Sequence, residues 1–202
     1  KLTHQVSTRN YAAAIDDCLE GYGIDKSSVS RQWKAVTQLE LQKLVQRPVP
    51  AALVALLIDG QYFRKECLIV ALGVDKAGQK HVLGLWQGAT ENSTLVRELL
   101  ADLRERGLNT EAAMLVVVDG AKALYKGVRD VFGQRALIQR CRVHKLRNVL
   151  EHLPVEKRAQ AAWRLRGAWA KNTPEEACKE LRACVRWPET ISSSAARSLE
   201  EG

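Results

Sequence analysis

From Leu53 to Leu153 apolar residues come in short aliphatic runs and in stripes at helical spacing, separated by polar links. Two of the runs stop at Asp-Gly: Leu56-Leu57-Ile58-Asp59-Gly60 and Leu115-Val116-Val117-Val118-Asp119-Gly120. Such runs predict buried strands. Residues Leu53 to Phe63, Glu66 to Val74 and Lys80 to Trp86 read as three strands. Their links, Arg64-Lys65 and Asp75-Lys76-Ala77-Gly78-Gln79, are short, so the three are expected to be antiparallel neighbours. After a loop from Gly88 to Asn92, Leu95, Val96, Leu99, Leu100 and Leu103 predict an amphipathic helix over Ser93 to Arg106, stopped by Gly107. A fourth strand from Ala112 to Val118 delivers Asp119. A helix over Ala121–Phe132, a fifth strand from Arg135 to Cys141 and a helix from Val143 to Leu153, closed by Pro154, complete the stretch.

This order predicts an α/β fold with a mixed sheet: three antiparallel strands, then parallel strands linked by helices. It resembles the RNase H-like arrangement, in which strand one lies beside strand four. Asp59 and Asp119 would then share one edge of the sheet. A buried carboxylate without a partner costs several kcal/mol, so a paired set at a cleft rim suits a divalent cation and phosphoryl transfer. Asp-Gly turns that merely end two strands account for the same residues.

Residues 1–50 read as a helical segment of helix-turn-helix type. Ser7-Thr8-Arg9 caps a helix through Tyr11 to Ile15, Gly21-Tyr22-Gly23 breaks it, and Ser27-Ser28 opens a second helix over Val29 to Val36. Ser28, Ser30, Arg31 and Lys34 would face phosphates or base edges. Short helical hairpins without DNA look the same. Pro48 and Pro50 mark a boundary before the core at 51–154. Residues 155–202 are helical and strand-poor and read as the start of an all-helical insertion. Its Trp163, Trp169 and Trp187, set among arginines, suit either a bundle interior or base stacking.

Charge sharpens the picture. A net charge of +8 and a pI near 9.4 favour a polyanionic partner, nucleic acid above all. No run approaches a membrane span, which requires roughly 18 apolar residues. Five scattered cysteines without Cys-x-x-Cys suit a reducing cytoplasm rather than a disulfide framework. The chain opens at Lys1 and its only methionine is Met114, so it reads as a fragment.

Taken together, Ser7-Thr8-Arg9, Ser27-Ser28-Val29-Ser30, Leu57-Ile58-Asp59-Gly60, Ala71-Leu72-Gly73-Val74, Val82-Leu83-Gly84-Leu85-Trp86, Val118-Asp119-Gly120 and Gln139-Arg140-Cys141-Arg142-Val143-His144-Lys145-Leu146-Arg147-Asn148 resemble the Mutator-type transposases of bacterial insertion sequences in order and spacing. The resemblance implies a DDE transposase on an RNase H-like fold. Two aspartates, here Asp59 and Asp119, and a glutamate would hold two Mg²⁺ or Mn²⁺ ions for in-line displacement at a phosphodiester. Cys141 and His144 match the family's Cys-x-x-His signature, which implies a place beside the cleaved bond. A buried thiol and a capping imidazole account for the pair equally. Lys145 and Arg147 are candidate phosphate contacts.

The family's glutamate follows a helical insertion, and none of Glu175, Glu176, Glu180, Glu189, Glu200 and Glu201 fits that place. The third acid is expected past Gly202, with weak metal binding and no transposition by this chain alone. Implied partners are transposon terminal inverted repeats and target DNA, bound by a homodimer in a bacterial cytoplasm, at the nucleoid. A catalytically inactive DNA-binding module derived from a transposase, and an RNase H-like nuclease, are the competing readings.

Overall fold

The computed structural model describes residues 26–63, 66–88, 90, 92–189 and 191–201. The expected cap at Ser7-Thr8-Arg9, the helix through Tyr11 and the break at Gly21-Tyr22-Gly23 lie outside them. The chain divides into two compact units, one ending at Pro48 and one beginning at Val49.

In the first unit, α1 spans Lys26–Gln46. The expected helix ending at Val36 therefore runs on for several turns. The reason is local: Thr37 to Gln46 contains neither Gly nor Pro and is rich in Leu, Gln, Glu and Lys, all good helix formers. The Lys43 ammonium pairs with Glu40 at 2.8 Å one turn back.

The second unit runs β1 (Leu53–Phe63), β2 (Glu66–Asp75), β3 (Lys80–Gly88), α2 (Ser93–Glu105), β4 (Met114–Val118), α3 (Lys122–Phe132), β5 (Ala136–Arg140), α4 (Arg142–Glu151), α5 (Val155–Trp169), α6 (Pro174–Glu189) and α7 (Ser193–Glu200). The strands form one sheet in the order β3-β2-β1-β4-β5. β1 pairs antiparallel with β2, and β2 with β3, while β1–β4 and β4–β5 are parallel. This is the expected mixed α/β sheet, compatible with the RNase H-like arrangement. β4 starts two residues later than the sequence suggests. The Asn109 side chain accepts from the Glu111 and Ala112 amides, which holds that segment as a turn.

Alternation sorts the sheet into two faces. Leu56, Ile58, Ile69, Ala71, Met114, Val116 and Val118 are buried on one face, against Leu99, Leu100 and Leu103 of α2 and Leu124, Val128 and Phe132 of α3. Each such aliphatic side chain contributes about 1.5–3 kcal/mol by leaving water. On the other face Leu115 and Leu137 are exposed. Asn92 caps α2 by accepting from the Leu95 amide, and Gly107 follows the helix with φ 108°.

Residues past Pro154 add α5, α6 and α7, and a second apolar cluster forms there around Val149, Leu153, Ala161, Leu165, Cys184 and Leu199. Trp169 and Trp187 pack against it, and the Arg164 guanidinium lies 5.1 Å from the Trp187 ring centroid. Trp163 is 75% exposed, so the bundle interior accounts for two of the three tryptophans. Among the described residues no helix is long and apolar enough to cross a membrane.

Helices α2 and α3 pack closely at Gly127. A Cβ added at Gly127 would lie 2.5 Å from Val96 Cβ and 2.7 Å from its Cγ1. Overpacking of about 1–3 kcal/mol should outweigh the propensity gain of about 1 kcal/mol for Ala over Gly. Gly127→Ala is therefore expected to lower the urea unfolding midpoint. A midpoint at or above wild type would show that α2 can move aside.

Candidate active site

The two acidic runs look alike in sequence, but the chain uses them differently. β1 does not stop at Asp59: Asp59 pairs with Val70 and Gly60 with Ile69, and the strand continues to Phe63. What ends there is the pairing with β4, whose last matched residues are Ile58 and Val118. Asp59 and Asp119 therefore leave matched positions on adjacent parallel strands, whose backbones lie about 4.8 Å apart. The sheet brings them together as the strand order requires.

Local bonds orient each carboxylate. Asp119 Oδ1 accepts from the Ala121 amide at 2.7 Å, a short turn that fixes the residue as it leaves β4. Asp59 Oδ2 accepts from Gln61 Nε2 at 2.5 Å. Gln61 was not anticipated, although its place two residues along β1 puts it on the face of Asp59. Asp59 Oδ1 is buried and has no hydrogen-bond partner. His144 Nε2 lies 3.8 Å from it, beyond hydrogen-bond reach, and His144 Nδ1 is itself buried and unpartnered.

His144 arrives there through α4. The Cys141 amide donates to the Val118 carbonyl at 2.6 Å, which continues the β4–β5 ladder by one step and starts α4 beside Asp119. Cys141 occupies the N-cap without a side-chain cap bond and is half-buried. His144 lies one turn along the helix, three residues after Cys141.

The candidate phosphate contacts divide. Arg147 is exposed on α4. Lys145 is placed differently from expectation: it is 5% exposed and its Nζ donates to the Ser198 carbonyl of α7. Its face of α4 is the one that α7 covers, a packing no local pattern announces. Burial, with the Arg140 charge adding to it, pushes the Lys145 amine down to about 8, while Glu201 acts the other way. Ser28, Ser30, Arg31 and Lys34 all lie on α1, with Arg31 and Lys34 exposed.

Arg140 is the other residue that sequence reasoning passed over. Gly120, after Asp119, has φ 105°, and the Arg140 side chain fills the space its missing Cβ would take. Arg140 stands in the quoted Gln139-Arg140-Cys141 string, but nothing in that string says where its side chain leans. Among the described residues no three His, Cys, Asp or Glu side chains are grouped to hold a metal ion. Glu175, Glu176, Glu180 and Glu200 sit on exposed helix surface, and His152 is exposed at the end of α4.

Known proteins bear on this geometry. A family model described as Transposase, Mutator family matches residues 2–202. The chain is 33% identical over 162 residues to the transposase for insertion sequence element IS6120 of Mycolicibacterium smegmatis, covering 75% of this chain and 48% of that protein. It is 28% identical over 200 residues to the transposase for element ISRM5 of Rhizobium meliloti, covering 93% and 49%. The transposase for element IS905 of Lactococcus lactis is 32% identical over 167 residues, covering 78% and 40%. The chain spans about half the length of the first two relatives.

Lys145 gives a test with a definite sign. Its amine falls from the ordinary 10.5 to about 8 on folding. Between those values the unfolded chain keeps a proton the native state has shed, so stability rises with pH there. Below about 8 the cost of the buried ammonium is fully present. Urea unfolding of wild type and Lys145→Met between about pH 7 and pH 10 should show an extra rise in wild type that the variant lacks. Parallel profiles would contradict this.

Proposed function

We propose that this chain, which belongs to the Mutator family of transposases, carries two acidic members of a DDE centre that cuts transposon DNA ends and joins them to a target. The observation that supports this most directly is the matched exit of Asp59 and Asp119 from β1 and β4, with Asp59 Oδ1 buried and unpartnered. A buried carboxylate oxygen without a donor is costly, and a cation relieves it. The residues thus fit a divalent ion, Mg²⁺ or Mn²⁺, held by Asp59 and Asp119. Bound there, it would supply Lewis-acid charge at the scissile phosphodiester.

The chain's own groups then have separable roles. Gln61 holds one oxygen of Asp59 and the Ala121 amide holds one of Asp119, so both carboxylates are set before a ligand arrives. Preorganisation of this kind removes reorganisation from the reaction step. His144, 3.8 Å from Asp59 Oδ1, is placed to meet a phosphate oxygen or the acid itself. Cys141 sets the start of the helix that carries it. The glutamate, the second ion, the terminal inverted repeats and pairing of two DNA ends by a homodimer follow from the family resemblance and belong to the same proposal.

Two measurements test it. In the complete gene product, Asp59→Asn and Asp119→Asn are each expected to reduce cleavage of terminal-repeat DNA to background while duplex binding persists. Cleavage that survives either change rules out the acid pair, and cleavage of unrelated duplexes or RNA hybrids favours a nuclease. In this chain, calorimetric titration with Mn²⁺ should show binding that Asp59→Asn removes. Equal heats for the variant would detach the metal from Asp59.

A further inference from the structure

Arg140 ends β5 and crosses Gly120, next to the acid pair, yet it forms no ion pair among the described residues. Its NH1 donates to the Glu201 carbonyl at 3.2 Å, and its Nε is buried with no partner. A guanidinium left partly unsatisfied at such a place is costly without an anion. Arg140 also lines two cavities. One, of about 600 Å³, is lined by Gly120, Lys122 and Tyr125 beside Asp119. The other, of about 590 Å³, is lined by Arg140 together with residues of α4 and α6.

The second cavity is basic. Arg142, Lys171 and Arg182 line it, with no Asp or Glu, over a floor that includes Trp169 and Leu181. Its cations are only lightly committed. Arg142 NH1 makes a 3.3 Å bond to the Trp169 carbonyl, Lys171 Nζ is 4.0 Å from Glu180, and Arg182 is exposed without an ion pair among the described residues. Cations aligned in a groove without acids suit a run of phosphates, and arginine forks match phosphate oxygens in geometry as well as charge.

We propose that Arg140 and the groove beyond it, with Arg142, Lys171 and Arg182, hold the sugar-phosphate backbone of a DNA strand that passes the Asp59–Asp119 pair. Arg140 is then a positioning residue: it sets the strand's register against the acids. The inference rests on the reading that those acids act on DNA. It adds a surface that neither the two acidic motifs nor α1 accounts for.

The test is fluorescence anisotropy with a labelled duplex oligonucleotide, titrated across NaCl concentrations without divalent metal. Arg140→Gln, Lys171→Gln and Arg182→Gln are compared with wild type and with Arg104→Gln, an exposed arginine on α2 outside the groove. Each phosphate contact contributes about 0.9 to the slope of log affinity against log salt. Each groove variant should lose about that much slope, and Arg104→Gln should lose none. Arg140→Lys should keep the slope but misplace cleavage in the complete gene product, a readout that lost charge alone does not give. Should Arg140→Gln fail to fold by circular dichroism, the exposed Lys171 and Arg182 decide the matter. Wild-type slopes in those variants overturn the groove. That result leaves the acid pair untouched, because Asp119→Asn is judged by cleavage and not by slope.

Discussion

The parallel pairing of β1 with β4 is the constraint on which the rest depends. Four matched positions, from Ala55 with Leu115 to Ile58 with Val118, set two distant segments in one register. Because side chains alternate, a one-residue slip of either strand would turn that strand's buried set, Leu56 and Ile58 or Val116 and Val118, away from α2 and α3. The aliphatic core thus enforces the register, and the register places the acids. Asp59 and Asp119 need no attraction for each other, which two carboxylates would not have. Burial of Leu56, Ile58, Val116 and Val118 holds them together against that repulsion.

Helix α4 joins this arrangement to the helical bundle. One face carries His144 to Asp59, another buries Val149 in the second apolar cluster, and Lys145 ties the helix to α7. Three requirements thus fall on one short helix. Its start is held to the sheet through the Cys141 amide, and its far end is held by Leu153 and Val149 in the bundle.

The sheet could be read from the sequence because its signals are local. Aliphatic runs of strand length, short polar links and the leucine stripe of α2 each predict an element within a few residues of its place. Short links then predicted the antiparallel neighbours, and the place of strand one beside strand four came from the resemblance to the RNase H-like arrangement. The bundle side could not be read as well. Lys145 looks like any surface lysine until α7, more than fifty residues away in sequence, covers it. Arg140 carries no periodic signal, and its path over Gly120 depends on two strand ends meeting. Gln61 could have been found, since residues two apart on a strand share a face. Ser7 to Gly23, where the first half of the helix-turn-helix was expected, lies outside the described residues.

The two Asp-Gly pairs show why a motif and its geometry must be separated. Gly60 stays within β1, paired with Ile69 in extended backbone, so its contribution is continuity of the strand past the acid. Gly120 has φ 105° and leaves β4 in a turn. Identical dipeptides thus solve opposite problems: one lets the strand continue beyond its carboxylate, the other lets it end there. Only at Gly120 does the missing Cβ matter twice, once for the backbone angle and once for the space Arg140 occupies. A side chain at that position would displace a cation from beside an anion, in a chain whose net charge is already +8. Gly120 thus serves both the turn that ends β4 and the path of the Arg140 side chain across it.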